Sequence, residues 1–227
     1  DDHEGIIEVP NKLETGSSAA EALCLTDIII DIAITPNRGD CLGIYGIARD
    51  LAAAGVGILK PIKIPDIKGG FESPIKVNLN FNDADKDACP IFTGRYIRNV
   101  KNGESPQWLK DKISAVGLRP ISALVDITNY MTIAHCRPLH VFDADKINGN
   151  INIRLAQAGE KLLALDGKEY NLDDKMTVIA DDHNAEALAG VMGGENSGVS
   201  KKTINVMLET AYFDPVRTAA TGRKLNL

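Results

Sequence analysis

INVMLETAYFDPVRTAATGRKLNL, Ile204 to Leu227, changes period within a few residues. Ile204 to Thr210 is apolar and rich in strand formers, and reads as a buried strand. Asp214-Pro215 then sets a capping carboxylate before a proline at the first helical position, so the chain continues as a helix. Working outward, INIRLA (Ile151 to Ala156), KLLAL (Lys161 to Leu165) and MTVIA (Met176 to Ala180) read as short strands, with Asp166-Gly167 as a hairpin turn signal. IKVNLNF (Ile75 to Phe81) alternates with period two, and FTGRYIRNV (Phe92 to Val100) reads as another strand. Ser105 reads as the cap and Pro106 as the first position of a helix running to Gly117, and a second helix is predicted over Ser122 to Ala134. Strands and helices do not alternate regularly. The pattern predicts an α/β chain of the α+β type, built on a mixed sheet and not a doubly wound parallel one.

Nearer the start, DIIIDIAIT (Asp27 to Thr35) reads as a buried strand, and Gly39 to Ala54 as a helix with Asp40 as its cap. PIKIPDIKGGFES, Pro61 to Ser73, is rich in Pro, Lys and Gly and has no period, so it reads as a linker. The chain thus divides into residues 1–60, a linker at 61–73, and a main domain at 74–227. The opening DDHEGII lacks a Met, and no Gly or Pro closes the last helix, so the sequence reads as a piece of a longer protein.

With 227 residues, 44% of them hydrophobic, the chain can bury a full core without disulfides or metals. Its net charge of −6 argues against a simple basic nucleic-acid coat protein. Cys24, Cys41, Cys89 and Cys136 are scattered, with no CxxC pair or Cys/His cluster, so no metal site is expected and reduced thiols are. No apolar run approaches the ~20 residues of a membrane span.

Four features offer chemistry. AGVMGGENSGV (Ala189 to Val199) fits neither a dinucleotide nor a P-loop fingerprint. It is either a loop of tight turns or, at Gly193 and Gly194, bare backbone flooring a pocket. DITNYMTIAHCRPLHVFD (Asp126 to Asp143) gathers Asn129 and His140 about a proline turn, and the two share a site only if the loop folds back on the helix. Glu209 closes an apolar run, either at a solvated strand end or pointing into a cavity where it needs a partner. From Ile91 to Arg119 six cations, among them Arg95, Arg98, Lys110 and Lys112, face two anions, which makes either a solvated face or a phosphate contact.

Taken together, ITPNRGDCLGIYGIARDLAA (Ile34 to Ala53), CPIFTGRYI, LVDITNYM, RPLHVFD, LALDGKEY, VMGGENSGV, NVMLETAYFDP and TGRKLNL resemble, in order, the β subunit family of bacterial-type phenylalanyl-tRNA synthetases. The resemblance spans nearly the whole chain. It implies part of a split scaffold domain followed by an editing domain that hydrolyses tyrosine mischarged onto tRNA(Phe). Glu209 would receive the tyrosine hydroxyl, and His140, Asn129, Gly193 and Gly194 would shape the pocket. His140 and Glu209 would be the catalytic pair, with water as the nucleophile. Arg95, Arg98, Lys110 and Lys112 would touch tRNA. A cytoplasmic heterotetramer with the α subunit is implied, with ATP and Mg2+ serving the whole enzyme and no cofactor bound in this region. In two places the sequence departs from the family. Cys136-Arg137 stands where Gly-Gln is usual before the proline, and the chain stops before a T-[DE]-A-S stretch that borders the family's pocket, so an incomplete site is expected.

Overall fold

The computed structural model describes residues 13–23 and 25–227. Cys24 and the first twelve residues lie outside them. A five-stranded mixed sheet forms the floor, in the order β1 (Val77–Asn80), β4 (Ile151–Leu155), β7 (Thr177–Ala180), β8 (Ala185–Leu188), β9 (Met192–Gly193). β1 and β4 run parallel and the other pairs antiparallel, so the sheet is mixed as expected. A three-stranded sheet lies over it, with β10 (Asn205–Tyr212) between β2 (Ile91–Arg98) and β3 (His140–Asp143). β5 (Lys161–Leu163) and β6 (Glu169–Asn171) make a hairpin that turns at Asp166-Gly167.

The core between the two sheets joins Phe142 and Met207 of the upper layer to Ile151, Ile153, Ile179 and Ala187 of the lower. Alternation along each strand puts His140 on the same face as Phe142, and Glu209 on the same face as Met207. Both polar side chains are thereby aimed between the sheets.

Five α-helices lie among the described residues: α1 (Ala19–Ala22), α2 (Ile44–Ala53), α3 (Gln107–Ala115), α4 (Ala123–His135) and α5 (Pro215–Leu225). α4 packs on α3, on α2 and on β3. Asp214 caps α5 as expected, accepting from the Arg217 N–H at 2.7 Å. α5 ends on Asn226, whose φ of 57° gives the left-handed stop usually left to glycine. The expectation of an unclosed last helix is therefore corrected.

Three local readings change. Ser105 does not cap α3; its hydroxyl donates to Asp126 Oδ2 at 2.5 Å, and Pro106 takes the cap position. Asp40 does not cap α2, because its carboxylate is bound by Arg38 and Arg49. The run from Asp27 to Thr35 forms no strand, and Ile28 is 91% exposed. A strand needs a neighbour for its backbone donors and acceptors, and none of the strands among the described residues lies beside this run. Residues 57–74 carry no helix or strand, between α2 and β1.

Candidate functional site

Across the upper sheet, Glu209 of β10 pairs with His140 of β3 on one side and with Gly94 of β2 on the other. Directly opposed residues share a face with Cβ atoms ~5 Å apart, so the carboxylate and the imidazole are neighbours. Gly94 contributes no side chain over Glu209, and a Cβ there would overlap Met207 Cε.

Both groups line a cavity of about 530 Å³, within the ~300–1,000 Å³ of small-molecule sites. Its other walls are largely apolar: Leu139 beside β3, Ile179 and Ala187 from the lower sheet, Met192 of β9, and Phe213 with Thr218 at the start of α5. Gly193 lines it too, and a Cβ there would run into His140 Cε1. Glycine at 193 is thus the condition for the imidazole to lie where it does. Gly194 plays a different part: its N–H donates to the Glu186 carbonyl at 2.7 Å, locking the loop to β8. Gly194 is not among the lining residues, and neither is Asn129, which sits on α4.

Electrostatics set this pair apart. Glu209 is 7% exposed. Burial pushes its pKa up to about 7, and the positive charge of Arg137 pulls the other way. At neutral pH the carboxyl is therefore poised between accepting and donating. Burial lowers His140 to about 4, so its ring is neutral at pH 7. His140 Nε2 is buried without a hydrogen-bond partner among the described residues, and the ring packs edge-on against Phe142 with centroids 4.4 Å apart. A neutral imidazole offers one donor and one acceptor nitrogen, which suits it to holding a water or a hydroxyl.

The nearby thiol of Cys89 is fully buried, and burial together with the Glu209 charge raises it to about 11. It is no nucleophile, since the thiolate is the reactive form. Among the described residues Asp40, Cys41 and Asp50 converge closely enough to suggest a metal-ligand set. Arg38, however, already bridges the two carboxylates at 3.0 and 2.7 Å, supplying the positive charge there.

The cations of the basic stretch differ in their partners. Lys110 pairs with Glu104 at 2.9 Å and Lys112 with Asp27 at 3.2 Å. Arg98 lies over the Phe71 ring at 4.1 Å, and Arg95 is exposed on β2. The apolar walls were not singled out in the sequence. Leu139 in RPLHVFD, Ile179 in MTVIA and Phe213 in NVMLETAYFDP lie inside stretches already read, but only the stacking of the two sheets makes them a lining.

Comparison with known proteins gives consistent results. A phenylalanine–tRNA ligase beta subunit from Paramagnetospirillum magneticum is 58% identical over 227 residues, all of this chain and 28% of that protein. Beta subunits of the same name from Ruegeria pomeroyi and Bradyrhizobium diazoefficiens are 53% and 51% identical, again over all of this chain and 29% and 28% of their own lengths. This chain therefore spans less than a third of the relatives it matches. An N-terminal fragment of the phenylalanyl-tRNA synthetase beta-subunit from Pyrococcus horikoshii superposes with a TM-score of 0.48 at 16% identity, covering 84% of this chain and 59% of that one, too loosely to add to the argument. The B3/4 domain model matches residues 88–227, which hold every lining residue of the cavity. The chain belongs to the B3/4 domain family.

Proposed function

We propose that this chain is part of a phenylalanine–tRNA ligase β subunit and that its cavity hydrolyses tyrosine mischarged onto tRNA(Phe). The observation that carries this reading is Glu209, a buried carboxyl lining a largely apolar cavity, its pKa raised by burial with only the Arg137 charge pulling against it. A tyrosine hydroxyl supplies the missing partner, whereas phenylalanine leaves the group buried and unpaired, at a cost of ~1–3 kcal/mol or more. The asymmetry matters because a pocket selecting phenylalanine rejects an analogue with one added hydroxyl only weakly, while a site built to bind that hydroxyl discriminates strongly.

In this mechanism the aromatic ring enters between the sheets and its hydroxyl meets Glu209. Neutral His140 orients the attacking water or the ester through its free nitrogen. Water attacks the ester carbonyl, the ester C–O bond breaks, and the ribose oxygen takes the proton, releasing tyrosine and intact tRNA. No protein nucleophile is required, in keeping with the inert thiol of Cys89. Asn129 shapes the approach from α4, and Arg95 and Arg98, the less tightly paired members of the basic stretch, offer charge to tRNA; Lys110 and Lys112 do so only by giving up their carboxylate partners.

In the whole protein we place this region beside an α subunit, in a cytoplasmic heterotetramer whose amino-acid activation uses ATP and Mg2+. Among the described residues no helix is long and apolar enough to cross a membrane. A second reading, a scaffold without hydrolytic activity, is disfavoured by the cavity itself, since a purely structural seam would be filled by side chains.

The test is deacylation of Tyr-tRNA(Phe) by the complete two-subunit enzyme. His140→Ala and Glu209→Ala are each expected to lower the rate at least ~10-fold while phenylalanine charging persists. Wild-type deacylation in both variants would return the chain to the scaffold reading.

A further inference from the structure

Three residues before His140, just ahead of the cavity wall, stands an unused cation. Pro138, Leu139 and His140 line the cavity, and Arg137 precedes them, itself exposed. Lys110 and Lys112 are committed to carboxylates, but no such ion pair engages Arg137 among the described residues. Its charge is nonetheless felt by Glu209, whose raised pKa it pulls back down.

The backbone under Arg137 is clamped. Cys136 sits at φ 52°, a conformation that non-glycine residues hold only when their surroundings impose it. Two contacts impose it here. The Cys136 thiol donates to the Gly39 carbonyl at 2.8 Å, and Gly43 presses so closely on Cys136 that a Cβ would overlap its amide nitrogen. Pro138 then limits the turn on the other side. A long cationic side chain is thus rooted at a fixed point on the cavity rim.

Glu209 and His140 are the ionisable side chains among the lining residues, and a second negative charge beside that carboxyl is unfavourable. A ligand bearing an anion must therefore leave it outside, at the rim. A guanidinium matches a phosphate with two parallel N–H···O bonds. The geometry points to Arg137 as a rim anchor for the phosphodiester of the nucleotide that carries the ester, fixing which end of the substrate faces inward. This inference rests on the hydrolytic reading above and extends it to a positioning residue.

The experiment uses the complete two-subunit enzyme with Arg137→Gln and Arg137→Lys, and two substrates: Tyr-tRNA(Phe), and the tyrosyl ester of adenosine, which has no phosphate. Arg137→Gln is expected to raise KM for Tyr-tRNA(Phe) about 10-fold with kcat nearly unchanged, from loss of a charge-assisted contact. Arg137→Lys is expected to recover part of that loss, and hydrolysis of the adenosine ester to stay at the wild-type level. Equal losses on both substrates, or no loss on either, overturn the rim anchor while leaving hydrolysis intact. If the wild-type enzyme hydrolyses neither substrate, the hydrolytic reading itself falls, and the anchor with it. Phenylalanine charging by the same preparations reports that each variant is folded.

Discussion

Asp126 on α4 and Glu209 on β10 are both buried carboxyls, 1% and 7% exposed, and the fold treats them in opposite ways. Asp126 is satisfied from two directions: the Ser105 hydroxyl donates to one oxygen at 2.5 Å, and the Ile121 N–H to the other at 2.8 Å. It also lies in the first turn of its helix, where the macrodipole favours negative charge. Glu209 has a glycine opposite on one side, a neutral imidazole on the other, and a cavity in front. The first arrangement ties the start of α3 to the start of α4. The second leaves a polar group exposed to whatever enters, and stability is given up for that availability. A third carboxylate, Asp27, shows the exposed alternative, meeting Lys112 at 3.2 Å in solvent.

The contrast is sharpest in the effect of removing each group. Asp126→Ala leaves a buried hydroxyl and a backbone N–H without partners, and is expected to cost about 2–5 kcal/mol in chemical denaturation. If its cost fell below that of a surface substitution, the structural role of Asp126 would be wrong.

Glu209→Gln is expected to act in the other direction. A carboxyl with its folded-state pKa raised from 4.5 to about 7 loses stability as pH rises through that window, because the unfolded state releases its proton first. The variant should match wild type below pH 4.5 and gain on it up to a plateau above pH 7, by at most about 3 kcal/mol. Denaturation midpoints across pH 4–8 measure this, and a constant offset over that range would remove the unpaired-carboxyl account. His140 contributes the opposite slope in both proteins: lowered from 6.5 to about 4, it costs stability as pH falls through that window.

Lys112→Ala, which frees Asp27, should change stability by no more than ~1 kcal/mol, and less in high salt. A larger loss would mean that the contact between the leading segment and α3 is more than a surface ion pair.

Legibility in the sequence followed how local each determinant is. The Asp214-Pro215 start of α5 and the Asp166-Gly167 turn depend on neighbours a few residues away, and both formed where expected. DIIIDIAIT and INVMLET both read as apolar strands, yet only the second lies in one. The difference is in partners, because β10 has β2 and β3 beside it and the earlier run has no strand beside it among the described residues. Ser105 and Asp126 illustrate the same limit: a serine before a proline looks like a cap until a carboxylate 21 residues away claims its hydroxyl.

By itself the sequence determined most element types of residues 74–227 and the mixed α+β class, and it singled out His140, Gly193 and Glu209 among the candidates for chemistry. It did so because periodicity, capping and residue type are properties of short stretches. Only the tertiary structure decided that these three meet at one cavity, that Gly194 and Asn129 do not line it, and that Leu139, Ile179 and Phe213 do. Those outcomes depend on strand register and on the stacking of one sheet over another. The pKa values of His140 and Glu209 likewise come from burial between the sheets, which joins residues far apart in the chain.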